Sequence, residues 1–366
     1  MNAAFVMSRH GSFEEIVKKM GGEESFMVEL FVIKKYAERF EKVFVFSHDT
    51  RKFENKFPEN CTHIRFFHPL FYLLFGWMFL AFFTAKHKIK IVYVESISGM
   101  LTALFVNKLT GTKVILDYLY LWHTTADGLR QSVIKRLENF LVNFADYFIV
   151  ANSDIVKFVG SRGETLKIGA NALLLDVFEK AKPDKKLLKM KGKKIIFVGR
   201  LIDVKDPLTL IEAFGKVNIK FPDTHLIMCG DGELRSECEK AAGKNVHFLG
   251  FAKDIPSLLK TTDIFAMSSV FDASPRALVE AMGTGLPIVA TKVGGIPDYL
   301  DEKTGILIEP RNSDLMAEKL IYLISHPGEA RKLGDNARKK IAEKYDLEKN
   351  VKKQLDFIES RIGVTE

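Results

Sequence analysis

Three cysteines are all that the 366 residues contain, and Cys61, Cys229 and Cys238 form no CxxC pair. That scarcity excludes a disulfide framework and a thiolate zinc site, and it points to a reducing, cytosolic compartment. No paired-Asp motif of a metal-dependent site is present either, so neither a metal nor a cofactor is expected. Proline is sparse, at eleven against 25 glycines, which argues against a fibrous or low-complexity chain. The opening MNAAFVMSRHGSFEE has too short an apolar run for a signal-peptide core and reads as a first strand, Ala3–Met7. The lysines of 182–194 lack interleaved aromatics, which speaks against a nucleic-acid partner.

What is present is ordinary apolar content, 47%, and a basic excess of +8. The excess favours anionic partners, whether phosphorylated ligands, lipid headgroups or nucleic acid, without choosing among them. One segment departs from this pattern. FFHPLFYLLFGWMFLAFFTA, residues 66–85, carries no formal charge apart from titratable His68, and Lys86, Lys88 and Lys90 follow it. Pro69 is expected to start a helix there. Three readings stand open: monotopic insertion into a membrane surface through 66–90, a buried core helix, and a true span.

Strand-like and helix-like runs alternate along the chain. Glu24–Phe40 has helical spacing, with Val28, Phe31, Val32 and Tyr36 on one face. Strands are expected at Val43–Phe46, Ile91–Val94, Val114–Leu116 and Tyr147–Val150, with helices over Met100–Leu109 and Ser132–Phe144. A Lys-rich stretch at 182–194 reads as a connection between domains. A second series follows, with strands Lys194–Val198, His225–Cys229, Val246–Leu249, Ile264–Met267 and Ile288–Ala290 and a helix Pro207–Val217. Val351, Leu355 and Ile358 mark a terminal helix. The expectation is an α/β chain of two facing Rossmann-like domains with parallel sheets and an interdomain cleft, ligands being received beyond the carboxyl ends of the strands. Its parts are 1–176, 177–345 and a terminal helix in 346–366 that packs back on the first domain.

The most informative stretch is FDASPRALVEAMGTGLPIVAT, residues 271–291. Ser274 suits an N-cap and Pro275 the first helical position, so a helix should open at Pro275 just after a strand. The amides around Arg276 and Ala277 would then face outward as an anion site, with Arg276 adding charge. Glu280 falls four residues on, on the same face, where a carboxylate can accept ribose hydroxyls. Asp272 sits just before the cap. In FVGRLIDVKD, Gly199 permits a turn at a strand end and Arg200 and Lys205 leave on the loop, suited to a diphosphate. Weaker signals are Gly21-Gly22 before the first long helix, Gly230-Asp231-Gly232, and Gly294-Gly295. Each of these stretches also has a plain structural reading, as a capped surface helix, a charged loop or a turn.

The succession GRL…K, CGDGEL, NVHFLGF, SPRALVEAMGTGLPIVAT and VGGIPDYL…TGILI resembles glycosyltransferase family 4, of GT-B fold, over about 194–310. A thinner likeness in the first half rests on MGGEESF, ADYFIVANSDIV and KIGANALLLDVF. The resemblance implies a retaining, metal-independent transferase using a nucleotide-diphosphate sugar of the UDP or GDP kind. The family's carboxylate pair falls on Asp272, where Glu is usual, and Glu280. Asp272 would contact the donor sugar and Glu280 the ribose. Ser274, Pro275, Arg276 and Ala277 would hold sugar and phosphate, and Arg200 and Lys205 would neutralise the departing diphosphate. Phe251 would lie where the base is gripped. Gly21, Gly22, Gly199 and Gly230 would let backbone approach substrate. A His usual at the end of the strand Val114–Leu116 is replaced by Asp117, which would orient sugar or acceptor. His123, His10 and His48 read as structural. The acceptor implied is a glycan or a lipid-linked molecule, handled by an enzyme peripheral or monotopic on the inner face of the cell membrane. Competing readings keep the fold with a soluble sugar or sugar-phosphate acceptor, or make the chain a non-catalytic sugar-nucleotide-binding protein.

Overall fold

The structure is a computed structural model, describing residues 1–6, 23–47, 57–65, 69–95, 97, 99–118, 121, 123, 128–150, 153–168, 172–272 and 275–362. The chain divides into two compact units, residues 1–170 with 349–366, and residues 171–348.

In the first unit, seven parallel strands lie in the order β3-β2-β1-β4-β5-β6-β7. They are β1 (Asn2–Val6), β2 (Lys42–Ser47), β3 (Cys61–Arg65), β4 (Ile89–Val94), β5 (Lys113–Tyr118), β6 (Tyr147–Val150) and β7 (Glu164–Lys167). The central strands read as continuous apolar runs because both faces of a parallel sheet are covered. Edge strands β3 and β7, CTHIR and ETLK, have no such run, and periodicity alone does not reveal them.

Helix α1 (Glu23–Ala37) buries Leu30, Ile33 and Tyr36 on one face of this sheet, Tyr36 against Phe5 at 4.5 Å between ring centroids. Phe31 and Val32 are only half-buried. The helix is apolar over more than half its circumference, so spacing did not select the core stripe; the side chain of Val28 lies outside the described residues.

The opposite face receives α2 (Pro69–Lys86), α3 (Met100–Ala103), α4 (Val106–Thr110), α5 (Gly128–Leu141) and α6 (Ser153–Val159). The helix expected over Met100–Leu109 is broken at Phe105, whose φ of 62° is left-handed. Packing of its ring between Trp77 and Phe144 offsets the steric cost of about 1–2 kcal/mol.

Helix α2 starts at Pro69, as its sequence implies. Its 18 residues rise about 27 Å, short of a bilayer's hydrocarbon core. Among the described residues no helix is long and apolar enough to cross a membrane. One face of α2, with Leu80, Ala81 and Thr84, is buried, while Phe75, Met78, Phe79 and Phe82 are exposed. The reading of 66–85 as a wholly buried helix therefore holds for one side of α2 only.

In the second unit the strands are β8 (Lys194–Val198), β9 (His225–Cys229), β10 (Val246–Gly250), β11 (Ile264–Met267), β12 (Ile288–Thr291) and β13 (Ile306–Ile308), parallel and ordered β10-β9-β8-β11-β12-β13. Around them lie α7 (Leu175–Lys180), α8 (Pro207–Lys220), α9 (Arg235–Ala241), α10 (Ile255–Leu259), α11 (Arg276–Thr284), α12 (Ile296–Tyr299), α13 (Ser313–Ser325) and α14 (Pro327–Lys344). The Lys-rich stretch at 182–194 is not the connection between the units; it lies within the second. Leu187 is buried there, Ser257 Oγ donates to the Lys182 carbonyl at 2.6 Å, and the Asp184 amide donates to Thr261 Oγ1 at 2.7 Å. A lysine can lay its alkyl stem on a packed segment and keep its ammonium in water, so composition imitates a linker.

The last helix, α15 (Leu347–Ile362), packs in the first unit, where Phe357 meets Tyr147 at 5.8 Å and Arg361 pairs with Glu164 at 2.5 Å. The three cysteines are free thiols, and burial pushes Cys229 up to about 12, so they are poor nucleophiles.

Candidate active site

Winding of the second sheet reverses between β8 and β11. From β8 the chain goes outward to β9 and β10, and from β11 the other way to β12 and β13. A crevice at the carboxyl ends of two strands that diverge in this way is where open α/β sheets receive ligands.

The loop leaving β8 is held from several sides. The Gly199 amide donates to the Cys229 carbonyl at 2.9 Å. Gly230, at φ +138°, lies so close that a Cβ on it would sit 1.9 Å from the Gly199 oxygen. A short turn, Asp203–Lys205, ends at Asp206, whose φ of 44° lets its carboxylate cap α8 and bond Thr209 Oγ1 at 2.7 Å. Just beyond β11, Ser268 Oγ donates to the carbonyls of Lys205 (3.0 Å) and Asp206 (2.7 Å), and the Val270 amide donates to the Val204 carbonyl at 2.9 Å. These bonds join the exits of β8 and β11. The result is that Lys205 Nζ pairs with the Asp272 carboxylate, both largely buried.

Asp272 is fixed in turn by the Gly294-Gly295 loop after β12. The Gly295 amide donates to its carbonyl at 2.8 Å, and Gly294 (φ +52°) leaves no room for a side chain, since a Cβ would lie 2.3 Å from the same oxygen. Arg200 is exposed on the β8 loop.

Helix α11 starts at Arg276, one residue later than expected, because Pro275 has ψ 82° and stays outside the helix. Ser274, the expected cap, lies outside the described residues. The first-turn amides of Arg276, Ala277 and Leu278 precede that of Val279, which donates to the Pro275 carbonyl at 3.2 Å. Leu278, Val279, Ala281 and Met282 are buried and anchor the helix. Glu280 is 5% exposed, and Arg276 Nε donates to its Oε1 at 2.8 Å. Burial raises the Glu280 pKa, and the guanidinium opposes the rise.

Phe251 is exposed beyond β10, where the Gly250 carbonyl accepts from the Gly230 amide at 2.8 Å. Thus Gly199, Arg200, Lys205, Gly230, Phe251, Asp272, Pro275, Arg276, Ala277 and Glu280 all occur on loops or helix starts at the carboxyl edge of one sheet.

In the first unit, Gly21, Gly22, His10 and His48 lie outside the described residues. Asp117 stands near the carboxyl end of β5 and accepts a hydrogen bond from Tyr93 Oη on its Oδ2. Its Oδ1 and the hydroxyl of Tyr36 are buried without a hydrogen-bond partner among the described residues. Burial lifts the Asp117 carboxyl to about 7, against the lowering bond from Tyr93. Burial of the Tyr36 and Tyr93 hydroxyls, and after it the nearby Asp117 charge, holds both well above their ordinary value. Sequence reasoning missed this Tyr36–Tyr93–Asp117 cluster, because it forms only when β4 and β5 pair and α1 docks.

A second unanticipated cluster surrounds His123, which is buried with Nδ1 2.5 Å from Glu138 Oε2. Tyr118 Oη donates to the other Glu138 oxygen at 2.7 Å. Among the described residues no group of three or more His, Cys, Asp or Glu side chains is placed to hold a metal ion.

Residues 178–340, all within the second unit, match the family described as Glycosyl transferases group 1. A UDP-Gal:alpha-D-GlcNAc-diphosphoundecaprenol alpha-1,3-galactosyltransferase of Escherichia coli is 31% identical over 183 residues, covering 47% of each chain. An uncharacterized glycosyltransferase of Methanocaldococcus jannaschii is 26% identical over 281 residues, covering 64% of this chain and 69% of its own. Apart from that archaeal protein, the chain spans about half the length of the first curated relatives it matches. Among solved structures, sucrose-phosphate synthase from Thermosynechococcus elongatus superposes with a TM-score of 0.75 at 17% identity over all of both chains. Anabaena HepE in complex with UDP-glucose superposes with a TM-score of 0.73 at 19% identity, over 98% of this chain and all of its own. The two parallel-sheet α/β units therefore have the GT-B fold, and residues 178–340 match the group 1 glycosyl transferase family.

Proposed function

We propose that this protein is a retaining glycosyltransferase that moves a sugar from a nucleotide-diphosphate donor to a lipid-linked acceptor at a membrane surface. The observation that carries the reading is the joining of the β8 and β11 exits through Lys205 and Asp272, beside the first turn of α11. Cations and helix amides gathered at one sheet edge suit two linked phosphates. The solved complex of HepE with UDP-glucose, in a protein of the same fold, supports a nucleotide-sugar donor.

In this reading Arg200 and Lys205 neutralise the diphosphate, and the amides around Ser274, Arg276 and Ala277 face phosphate and sugar. Glu280 accepts the ribose hydroxyls, and Asp272 orients both Lys205 and the sugar. Gly199 and Gly230 keep the backbone close to the phosphates, and Phe251 lies beside the base. During transfer, the bond between the anomeric carbon and the β-phosphate oxygen breaks while the acceptor oxygen bonds that carbon. The acceptor's proton passes to the departing phosphate. Negative charge grows on the diphosphate, and one pre-aimed donor to it is worth ~3–4 kcal/mol of barrier. No metal is invoked in this scheme.

The acceptor assignment draws on the diphosphoundecaprenol substrate named for the Escherichia coli relative and on the exposed apolar side of α2 with its lysines. Thermal stabilisation by UDP-, GDP- and ADP-sugars tests the donor claim, since a bound donor must raise the melting temperature. A panel in which no nucleotide sugar shifts the transition removes it. Transfer assays with a diphosphoundecaprenol-linked sugar and with a free sugar phosphate as acceptors then decide the acceptor class; transfer to the free sugar phosphate alone removes the lipid assignment.

A further inference from the structure

Every large apolar side chain that is exposed among the described residues of the first unit lies on one side of its sheet, on α2, α4 and α5. On α2 these are Phe75, Met78, Phe79 and Phe82, spaced i, i+3, i+4, i+7, opposite the side that buries Leu80 and Thr84. On α5 they are Leu129, Val133, Leu137 and Phe140, spaced i, i+4, i+8, i+11, a single stripe beside the one that buries Glu138 and Leu141. Leu109 on α4 stands between them, 62% exposed. Beneath the stripes the helices are linked through rings that are themselves buried or half-buried. Phe140 meets Phe144 at 5.1 Å, Phe144 meets Phe105 at 4.9 Å, and Phe105 meets Trp77 of α2 at 5.8 Å.

Among the described residues, the exposed charged side chains on α2, α4 and α5 have one sign. Lys86, Lys88, Lys108, Arg130, Lys135 and Arg136 are exposed on or beside these helices. Helices α2 and α4 contain no Asp or Glu, and the single acid of α5, Glu138, is buried on Tyr118 and His123. The other side of the sheet is covered by α1 and α15, so the pattern belongs to this side alone. A soluble partner's binding patch is normally rimmed by both signs of charge. Apolar rings and branched side chains interspersed with exposed cations on the same helices match a surface that is apolar below and anionic above.

We infer that α2, α4 and α5 together form a composite face that docks on an anionic lipid bilayer, α5 supplying a second inserting stripe beside that of α2. The inference rests on the membrane-surface reading above for α2 and adds α5 to it. Phe82 and Leu129, 67% and 83% exposed, are the side chains that enter the acyl boundary, and the six cations lie at headgroup level.

Co-sedimentation of the full chain tests this, using vesicles of phosphatidylcholine alone and of phosphatidylcholine with an equal part of phosphatidylglycerol. The wild type is expected to pellet with the mixed vesicles and at least about tenfold less with the neutral ones, the difference shrinking as salt rises. Leu129→Glu with Val133→Glu should weaken binding to the mixed vesicles about tenfold or more. Its melting temperature and stabilisation by the donor should match the wild type. Arg130→Ser with Arg136→Ser, which leaves the apolar stripe intact, should lose the preference for the mixed vesicles.

If the Leu129/Val133 variant binds as the wild type does while Phe82→Glu does not, the role of α5 is overturned and that of α2 stands. Should the wild type bind neither vesicle, both fall together, with the donor assignment untouched. A wild-type dimer that the Leu129/Val133 substitutions dissociate, without any effect on lipid binding, would assign the α5 stripe to a second copy and overturn the inference.

Discussion

Lys205, in the turn after β8, is paired with Asp272, two residues after the segment that leaves β11 and is hydrogen-bonded to Val204. The pair closes the switch point of the second sheet and places a cation and a carboxylate within one contact of each other.

In the proposed function, replacing Lys205 with Ala removes a cation that would face the developing charge of the diphosphate. We expect kcat/KM to fall about 100- to 1,000-fold, as for loss of one pre-aimed donor. The Asp272 carboxylate also loses a partner in a largely buried place, so the melting temperature should fall. Steady-state kinetics with the preferred donor checks the first effect; a rate within a factor of a few of wild type would remove Lys205 from the chemistry.

Glu280→Gln keeps the shape of α11 and removes the charge that, in the proposed function, accepts ribose hydroxyls. A hydrogen bond to a charged group is worth about 1.5–3 kcal/mol, so the donor's Kd should rise about tenfold to a hundredfold. Because burial raises the Glu280 pKa, wild-type affinity should already decline on mild acidification, at higher pH than an exposed Glu would require, while the variant shows no such step. Calorimetric titration across pH reads both, and equal affinities for variant and wild type would exclude the ribose role.

Asp117 makes stability depend on pH. Its ordinary value of 3.8 applies to the unfolded chain, against about 7 when folded. Between those values the folded state holds a proton that the unfolded state has released, so stability falls as pH rises through that window and the cost is complete above it. Asp117→Asn should flatten this part of the curve. Urea midpoints at about pH 5 and about pH 8 measure it, with the wild type weaker at the higher pH. An equal difference in the variant would show that other groups carry the dependence.

Gly294→Ala forces a methyl group to 2.3 Å from the Asp272 carbonyl, at a backbone φ of +52° that Ala adopts at a cost. Overpacking and backbone strain together predict a loss of about 1–3 kcal/mol and a lower melting temperature. Gly215→Ala is the control, since a Cβ there meets nothing within 4 Å and its helical position favours Ala. If the two variants melt alike, the Gly294 loop has more freedom than its geometry implies.

Much of the second unit was legible before any coordinates. Strands Lys194–Val198, His225–Cys229 and Ile264–Met267 appear with the expected bounds, because short apolar runs between turn residues can hardly do anything else in a sheet covered on both faces. Pro275 announces a nearby helix start through local chemistry, its fixed φ. The edge strands β3 and β7 were not legible, since an edge needs no apolar run, and β13 is apolar but only three residues long. Nor was the break at Phe105, which depends on rings from Trp77 and Phe144 far along the chain.

Local residue pattern, then, determined the alternation of strands and helices, the parallel sheets, and which loops hold the cations and carboxylates. Those properties depend on interactions a few residues apart and on periodicity, which the chain carries in one dimension. Strand order, the Lys205–Asp272 pair and the Tyr36–Tyr93–Asp117 cluster were decided only by tertiary structure. Each brings together segments far apart in the chain, and which segments meet depends on how the sheet winds and which helix faces find cover.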